Sequence, residues 1–271
     1  MICIPLVRRT IGDQRWLWLF SALGIFGFLL LFNFAIVAIP RENAETWLKV
    51  PWIQKFVATL VGSDAVLLTK PEGMLSVGFS HPMVWAMLLA FTFTAASASI
   101  AGEIDRGTMD LLAALPMSRS ALYASTSAAI LFMGVVLCWT VWLGAIIGIR
   151  IAGLFDTRTD WMAIAAANLC TTFVGIAGLS MALSAMVPRR GLAVAIAFGI
   201  VFYGFVLNFL KTMWPAIDAI GFTSFLHYYQ PLIVMRDTAW AWGNMAVMTA
   251  AGVVLWTAGL IVFNRRDIPA R

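Results

Sequence analysis

Apolar residues run almost unbroken along this chain, and polar positions collect between the runs. Six windows contain no Asp, Glu, Lys or Arg: Trp16–Pro40, Gly73–Gly102, Ser120–Ile149, Trp161–Pro188, Gly191–Leu210 and Thr238–Asn264. Each has the ~20 residues that an apolar helix needs to cross ~30 Å of hydrocarbon. The pattern predicts an all-α integral membrane protein, a single domain over 1–271, with six spans at about 16–40, 80–102, 120–149, 161–188, 191–210 and 243–264. A seventh run, Ala219–Met235, is shorter and holds Gly221, His227, Tyr228, Tyr229 and Pro231. It is expected to be re-entrant or interfacial before span 6.

The segments between spans carry further patterns. In the loop 41–79, Trp52, Ile53, Phe56, Val57, Leu60 and Val61 fall on one helical face, opposite Gln54, Lys55 and Thr59. This predicts an amphipathic helix over 51–61, lying on the outer membrane surface or docking on a partner. Before the first span, PLVRRTIGDQR mixes apolar and basic residues. It suits a short in-plane helix at the inner interface, or a solvated basic flank. The apolar run that follows is too long for a signal peptide and no small-x-small site comes after it, so it is taken as span 1.

Composition agrees: 62% of the 271 residues are hydrophobic and 11% charged, against about 25% charged in a soluble domain. Six spans put both termini on one side. That side holds Arg8, Arg9, Arg15, Arg106, Arg119, Arg189, Arg190, Arg265, Arg266 and Arg271, with the acids Asp13, Glu103, Asp105, Asp110 and Asp267. The other side has eight basic and eight acidic residues, so the net charge of +5 lies wholly on the terminal side. The positive-inside rule makes the terminal side cytoplasmic. The basic residues form no patch suited to nucleic acid. The cysteines Cys3, Cys138 and Cys170 are scattered, and two lie inside apolar runs, as buried small hydrophobes rather than a disulfide framework.

The most structured polar interruption is Gly102–Arg119, GEIDRGTMDLLAALPMSR. A charge at the centre of a bilayer helix costs ~2.5–3.5 kcal/mol, so Glu103, Asp105, Arg106, Asp110 and Arg119 must lie outside the hydrocarbon. Gly107 marks a break and Thr108 is expected to cap a new turn. Leu111, Leu112 and Leu115 are expected on one face of a transverse helix over 108–115, about 12 Å long at 1.5 Å per residue. Pro116 ends that helix, and Ser118 or Ser120 caps the next. A helix continuing through the segment would also align Glu103, Arg106 and Asp110 at i, i+3 and i+7, unless Gly107 interrupts it.

This stretch resembles the first cytoplasmic loop of ABC-2 type permeases, the membrane subunits of ATP-binding-cassette exporters. The resemblance is carried by the acidic pair Glu103 and Asp105, Gly107-Thr108, Leu111-Leu112, Pro116 and Ser118-Arg119, though Glu is commoner than Asp at the second acidic position. Val187–Arg190, Tyr228–Pro231 and the terminal FNRRDIP add weaker support. The resemblance implies a coupling helix at 102–119, between spans 2 and 3, resting on a cytosolic ABC ATPase present in two copies. It also implies a second permease subunit, identical or homologous, and a multi-pass location in the cytoplasmic (inner) membrane of a bacterium. ATP and Mg are then expected on the ATPase, with no cofactor bound by this chain. The alternative within the same fold is a membrane subunit that uses ATPase motion to control an extracytoplasmic partner without moving cargo.

Chemistry of other classes finds little footing. No Gly-Lys pair occurs, so there is no Walker A loop, and neither H-E-x-x-H nor C-x-x-C is present. No metal site and no catalytic residue are expected. Ser80-His81 faintly suggests an intramembrane serine nucleophile, but a base adjacent in sequence is poorly placed. His227 is read as a hydrogen-bonded interfacial histidine. The spans lack the internal charges common in ion-coupled carriers, which favours hydrophobic or amphipathic cargo.

Span 4 carries Gly175, Gly178, Ser180, Ala182 and Ser184, small residues that permit close packing. Its Asn168, Thr171 and Thr172 share a face suited to interhelical hydrogen bonds. Span 5 carries Phe198, Phe202, Phe205 and Phe209 on one face. Alone, this stripe would meet lipid or pack in the bundle. Given the resemblance, it becomes a candidate dry constriction on the path, with Thr92 and Ser99 of span 2 as a polar edge opposite.

Overall fold

The computed structural model describes residues 2–38, 50, 71–114 and 116–267. The helices are α1 Ile4–Ala38, α2 Pro71–Ser80, α3 Pro82–Ser99, α4 Ala101–Asp105, α5 Met109–Ala113, α6 Arg119–Ala152, α7 Asp160–Met186, α8 Arg190–Met213, α9 Pro231–Asp237 and α10 Trp242–Arg265. Between α8 and α9 the chain forms tight 3-10 turns over Pro215–Thr223 and Phe225–His227. No strand occurs among the described residues. Among the described residues six stretches are long and apolar enough to cross a membrane: α1, α2 with α3, α6, α7, α8 and α10. The amphipathic helix expected over 51–61, and Leu115, lie outside the described residues.

Two expectations need correction. The basic segment before span 1 is neither a separate in-plane helix nor a loose flank: α1 runs without a break from Ile4. Its Leu6 is buried against the bundle, and the backbone N–H of Cys3 donates to Ser125 Oγ at 2.7 Å, so the basic end is held by α6. The second span also begins earlier than residue 80. Pro71–Ser80 is helical and its Leu75, Gly78 and Phe79 are buried. Pro82, lacking an N–H, divides the span, and His81 Nδ1 accepts from Met83 N–H at 3.2 Å to start α3.

Small residues build the bundle. In the α7–α10 seam a side chain on Gly252 would lie 2.6 Å from the Val174 carbonyl oxygen, and one on Gly178 would collide with the Gly252 backbone. Without a hydrophobic force between helices inside lipid, such close backbone approach supplies the packing contacts that hold them together. On the other side of the bundle α1 packs along α6, where Gly148 makes room for Asn33. This polar face does not bridge helices: the buried Asn168 amide has no hydrogen-bond partner among the described residues, and the Thr171 and Thr172 hydroxyls donate to the Asn168 backbone carbonyl, at 2.8 and 3.0 Å. Hydroxyls three and four residues along reach that oxygen more easily than a neighbouring helix.

Candidate coupling site

The end of the bundle that gathers α4 and α5 is assembled from segments distant in sequence. Helix α3 ends at Ser99, and Ile100, at φ −127° and ψ −63°, offsets the chain into α4. The Ala101 N–H, orphaned by that offset, donates to Ser184 Oγ of α7 at 3.1 Å. Gly107, at φ +70°, then ends α4. Its N–H bonds the Ile104 carbonyl at 3.1 Å and the Thr108 N–H bonds the Glu103 carbonyl at 3.0 Å. This is the paired left-handed C-cap that glycine permits and other residues resist.

Glu103 is the hub. Its carboxylate is only 12% exposed and meets Arg106 at 3.0 Å and Arg9 of α1 at 3.4 Å. It also accepts a short hydrogen bond from the Thr108 hydroxyl. Thr108 therefore stands at the start of α5 without capping it, because its hydroxyl is spent on the more strongly accepting carboxylate. Asp105 faces the other way, accepting the Arg190 N–H at 3.4 Å at the start of α8. The two acids thus tie one turn to two different spans. Asp110 is exposed and does not join Glu103 and Arg106, since the left-handed residue at Gly107 resets the register.

Helix α5 is shorter than the expected transverse helix, covering Met109–Ala113. Its leucines also part company: Leu112 is 7% exposed and packs into the core with Met109, while Leu111 is 72% exposed. Adjacent residues on a helix lie about 100° apart, so a one-turn helix resting on the bundle cannot bury both. Asp110, Leu111, Ala114 and Pro116 form its outward tip. Ser118 Oγ accepts the Ala121 N–H at 3.1 Å and caps α6. Arg119 donates to the Arg266 carbonyl at 2.6 Å, and Arg266 donates to the Ala185 carbonyl at 2.9 Å, so the ends of α6, α7 and α10 meet here.

The path candidates are not brought together. Phe198 and Phe202 stack at 5.7 Å on the outer face of α8, and Phe209 is exposed along the same face. Phe205 instead turns inward, 6.1 Å from Trp85 and 5.3 Å from Phe225. Thr92 is buried and donates to the Leu88 carbonyl at 2.6 Å, while Ser99 donates to the Ala96 carbonyl at 2.7 Å. Within one chain, neither hydroxyl faces the stripe as a polar edge. His81 serves the start of α3 and makes no hydrogen bond with Ser80. No cluster of three or more His, Cys, Asp or Glu is placed to hold a metal among the described residues.

The profile of the family described as ABC-2 family transporter protein matches residues 9–268. The chain belongs to the ABC-2 transporter family. It is a multi-pass membrane permease of that family, with six apolar helices of spanning length. No curated protein matches the chain. The acidic pair and Gly107-Thr108 of the permease were legible in its sequence. Arg9, which completes the ring around Glu103, was not: it lies 94 positions away, and only the approach of α1 to α4 brings the two together.

Proposed function

We propose that this permease is the membrane subunit of an ATP-driven exporter and that α4 and α5 take up the motion of a separate cytosolic ATPase. The observation that carries this reading is the division of labour within one short segment. The tip at Asp110 and Leu111 is exposed, while the base is tied by Glu103 to α1 and by Asp105 to α8. A push on the tip is thereby delivered to two spans. The arginine excess around this end supports a cytosolic location, with the short loop 153–159 on the far side. Two copies of the permease, or this one and a homologue, would pair with two ATPases in a bacterial cytoplasmic membrane. The outward Phe198, Phe202 and Phe209 would then meet the second copy, and cargo would part apolar rings between subunits rather than inside one chain.

The test uses single cysteines at Leu111 and Asp156 in a chain whose Cys3, Cys138 and Cys170 are replaced. In intact cells a membrane-impermeant maleimide should label Asp156→Cys and spare Leu111→Cys. Leu111→Cys should cross-link to a co-expressed cognate ATPase. The opposite labelling pattern removes the coupling assignment.

A further inference from the structure

Beside the base of the coupling segment lies a cavity of about 400 Å³, lined by α1, α3, α4, α5, α6 and the start of α8. Its volume is within the range of small-molecule sites. Among the described residues it is more polar than two other cavities, between α6, α7 and α10 and between α7, α8 and α10, which are lined mainly by apolar side chains.

Three arginines line it, Arg9, Arg106 and Arg190. The carboxylates facing it are Glu103 and Asp13. Glu103 is shared by Arg9 and Arg106, while Asp13 is 60% exposed and meets Arg9 at a loose 3.6 Å. Asp105, nearby, is turned to the Arg190 backbone. Among the described residues the Arg190 guanidinium has one hydrogen-bond partner, Ser97 Oγ at 3.4 Å from Nε, and no carboxylate. A guanidinium carries five N–H donors and accepts nothing, so three leave most of their donors uncommitted. Gln14 adds a neutral amide to the walls, the hydroxyls of Thr10, Ser99 and Thr126 being committed to carbonyls of their own helices, and Leu6, Ala95 and Leu112 add an apolar part.

We infer that this cavity binds a net-anionic phosphate group, one not neutralised by a cation of its own, carried by an acidic phospholipid headgroup or by a soluble phosphate ester. Tetrahedral phosphate oxygens match the forked donors of arginine, and the small surplus of positive charge favours an anion. The apolar wall beside the arginines suits a headgroup attached to an acyl chain. The inference rests on the membrane placement proposed above. The ligand would sit against Arg9 and Arg106, the same side chains that hold Glu103, so its occupancy would bear on the coupling segment.

The experiment is native mass spectrometry of the full-length permease, without ATPase, released from bilayers of equal phosphatidylcholine and phosphatidylglycerol. A failed coupling assignment therefore leaves the result intact. Phosphatidylglycerol should be retained over phosphatidylcholine, and Arg190→Gln should lower its retention about tenfold, the loss of one charge-assisted contact. Arg190→Lys should fall between, keeping charge without the fork. Arg265→Gln, exposed at the end of α10 and outside the cavity, should match wild type. If Arg190→Gln does not fold, Arg106→Gln carries the comparison, its side chain being half exposed. Displacement of the lipid by millimolar inorganic phosphate supports the site with a soluble ligand; resistance supports it with a lipid. Equal retention of the two lipids, or wild-type retention by folded Arg190→Gln, overturns the inference.

Discussion

Removing the Glu103 carboxylate should open the coupling segment without disturbing the bundle. Arg9 and Arg106 are about half exposed, so solvent screens each ion pair to about 0.5 kcal/mol. The Thr108 hydroxyl bond to a mostly buried carboxylate adds about 1.5 kcal/mol. Glu103→Ala then costs about 2.5 kcal/mol locally, and at about 1.4 kcal/mol per factor of ten the open population rises on the order of fifty-fold. The reporters are the amides of Gly107 and Thr108, whose N–H groups bond the Ile104 and Glu103 carbonyls. Their hydrogen exchange should accelerate by that factor, while amides within α7 keep wild-type rates, since local opening need not involve the core. Thr108→Val should give about a tenfold effect, reflecting loss of its bond to the carboxylate, the hydroxyl's second contact, with the Glu103 carbonyl, being a long 3.3 Å. In the complex with its ATPase, transport per ATP should fall in Glu103→Ala. Unchanged exchange at Gly107 and Thr108 would refute the latch, and faster exchange with normal coupling would refute its role in transmission.

The phenylalanines of α8 should separate by position: Phe205→Ala, which empties a site between Trp85 and Phe225, should cost about 3 kcal/mol and lower the melting temperature, whereas Phe202→Ala, on the outer face, should leave the isolated chain's melting unchanged and impair transport. Equal melting losses would contradict this division. The His227 imidazole, outside the spans, should titrate below its ordinary 6.5, because burial disfavours its cation and Lys211 at 3.3 Å repels it, with Asp218 partly opposing. A histidine held low stabilises the fold above the unfolded value and loses that contribution as pH falls below about 6.5. Lys211→Met should raise the midpoint seen by NMR while leaving it below 6.5, since burial is the larger cause; an unmoved midpoint would discount the lysine.

What the sequence determines here is whatever depends on transfer from water. Six charge-free windows become six helices of spanning length because no backbone group or charge can be left unpaired in hydrocarbon. The break at Gly107 and the cap at Ser118 were equally legible, since each follows from the local conformational preferences of one residue. The tertiary structure decides which neighbour each side chain meets. Apolar periodicity does not distinguish Leu111 from Leu112, because both are equally hydrophobic and only the seating of α5 on the bundle selects the buried one. It likewise groups Phe205 with Phe198, Phe202 and Phe209, although Trp85 and Phe225 claim that ring alone. The ring around Glu103 joins α1 to α4 across 94 positions, and the cavity arginines come from three separate helices or their ends. Such partners are chosen by how the helices pack, and helix packing in lipid is set by close contact at Gly178 and Gly252 rather than by any pattern of polarity along the chain.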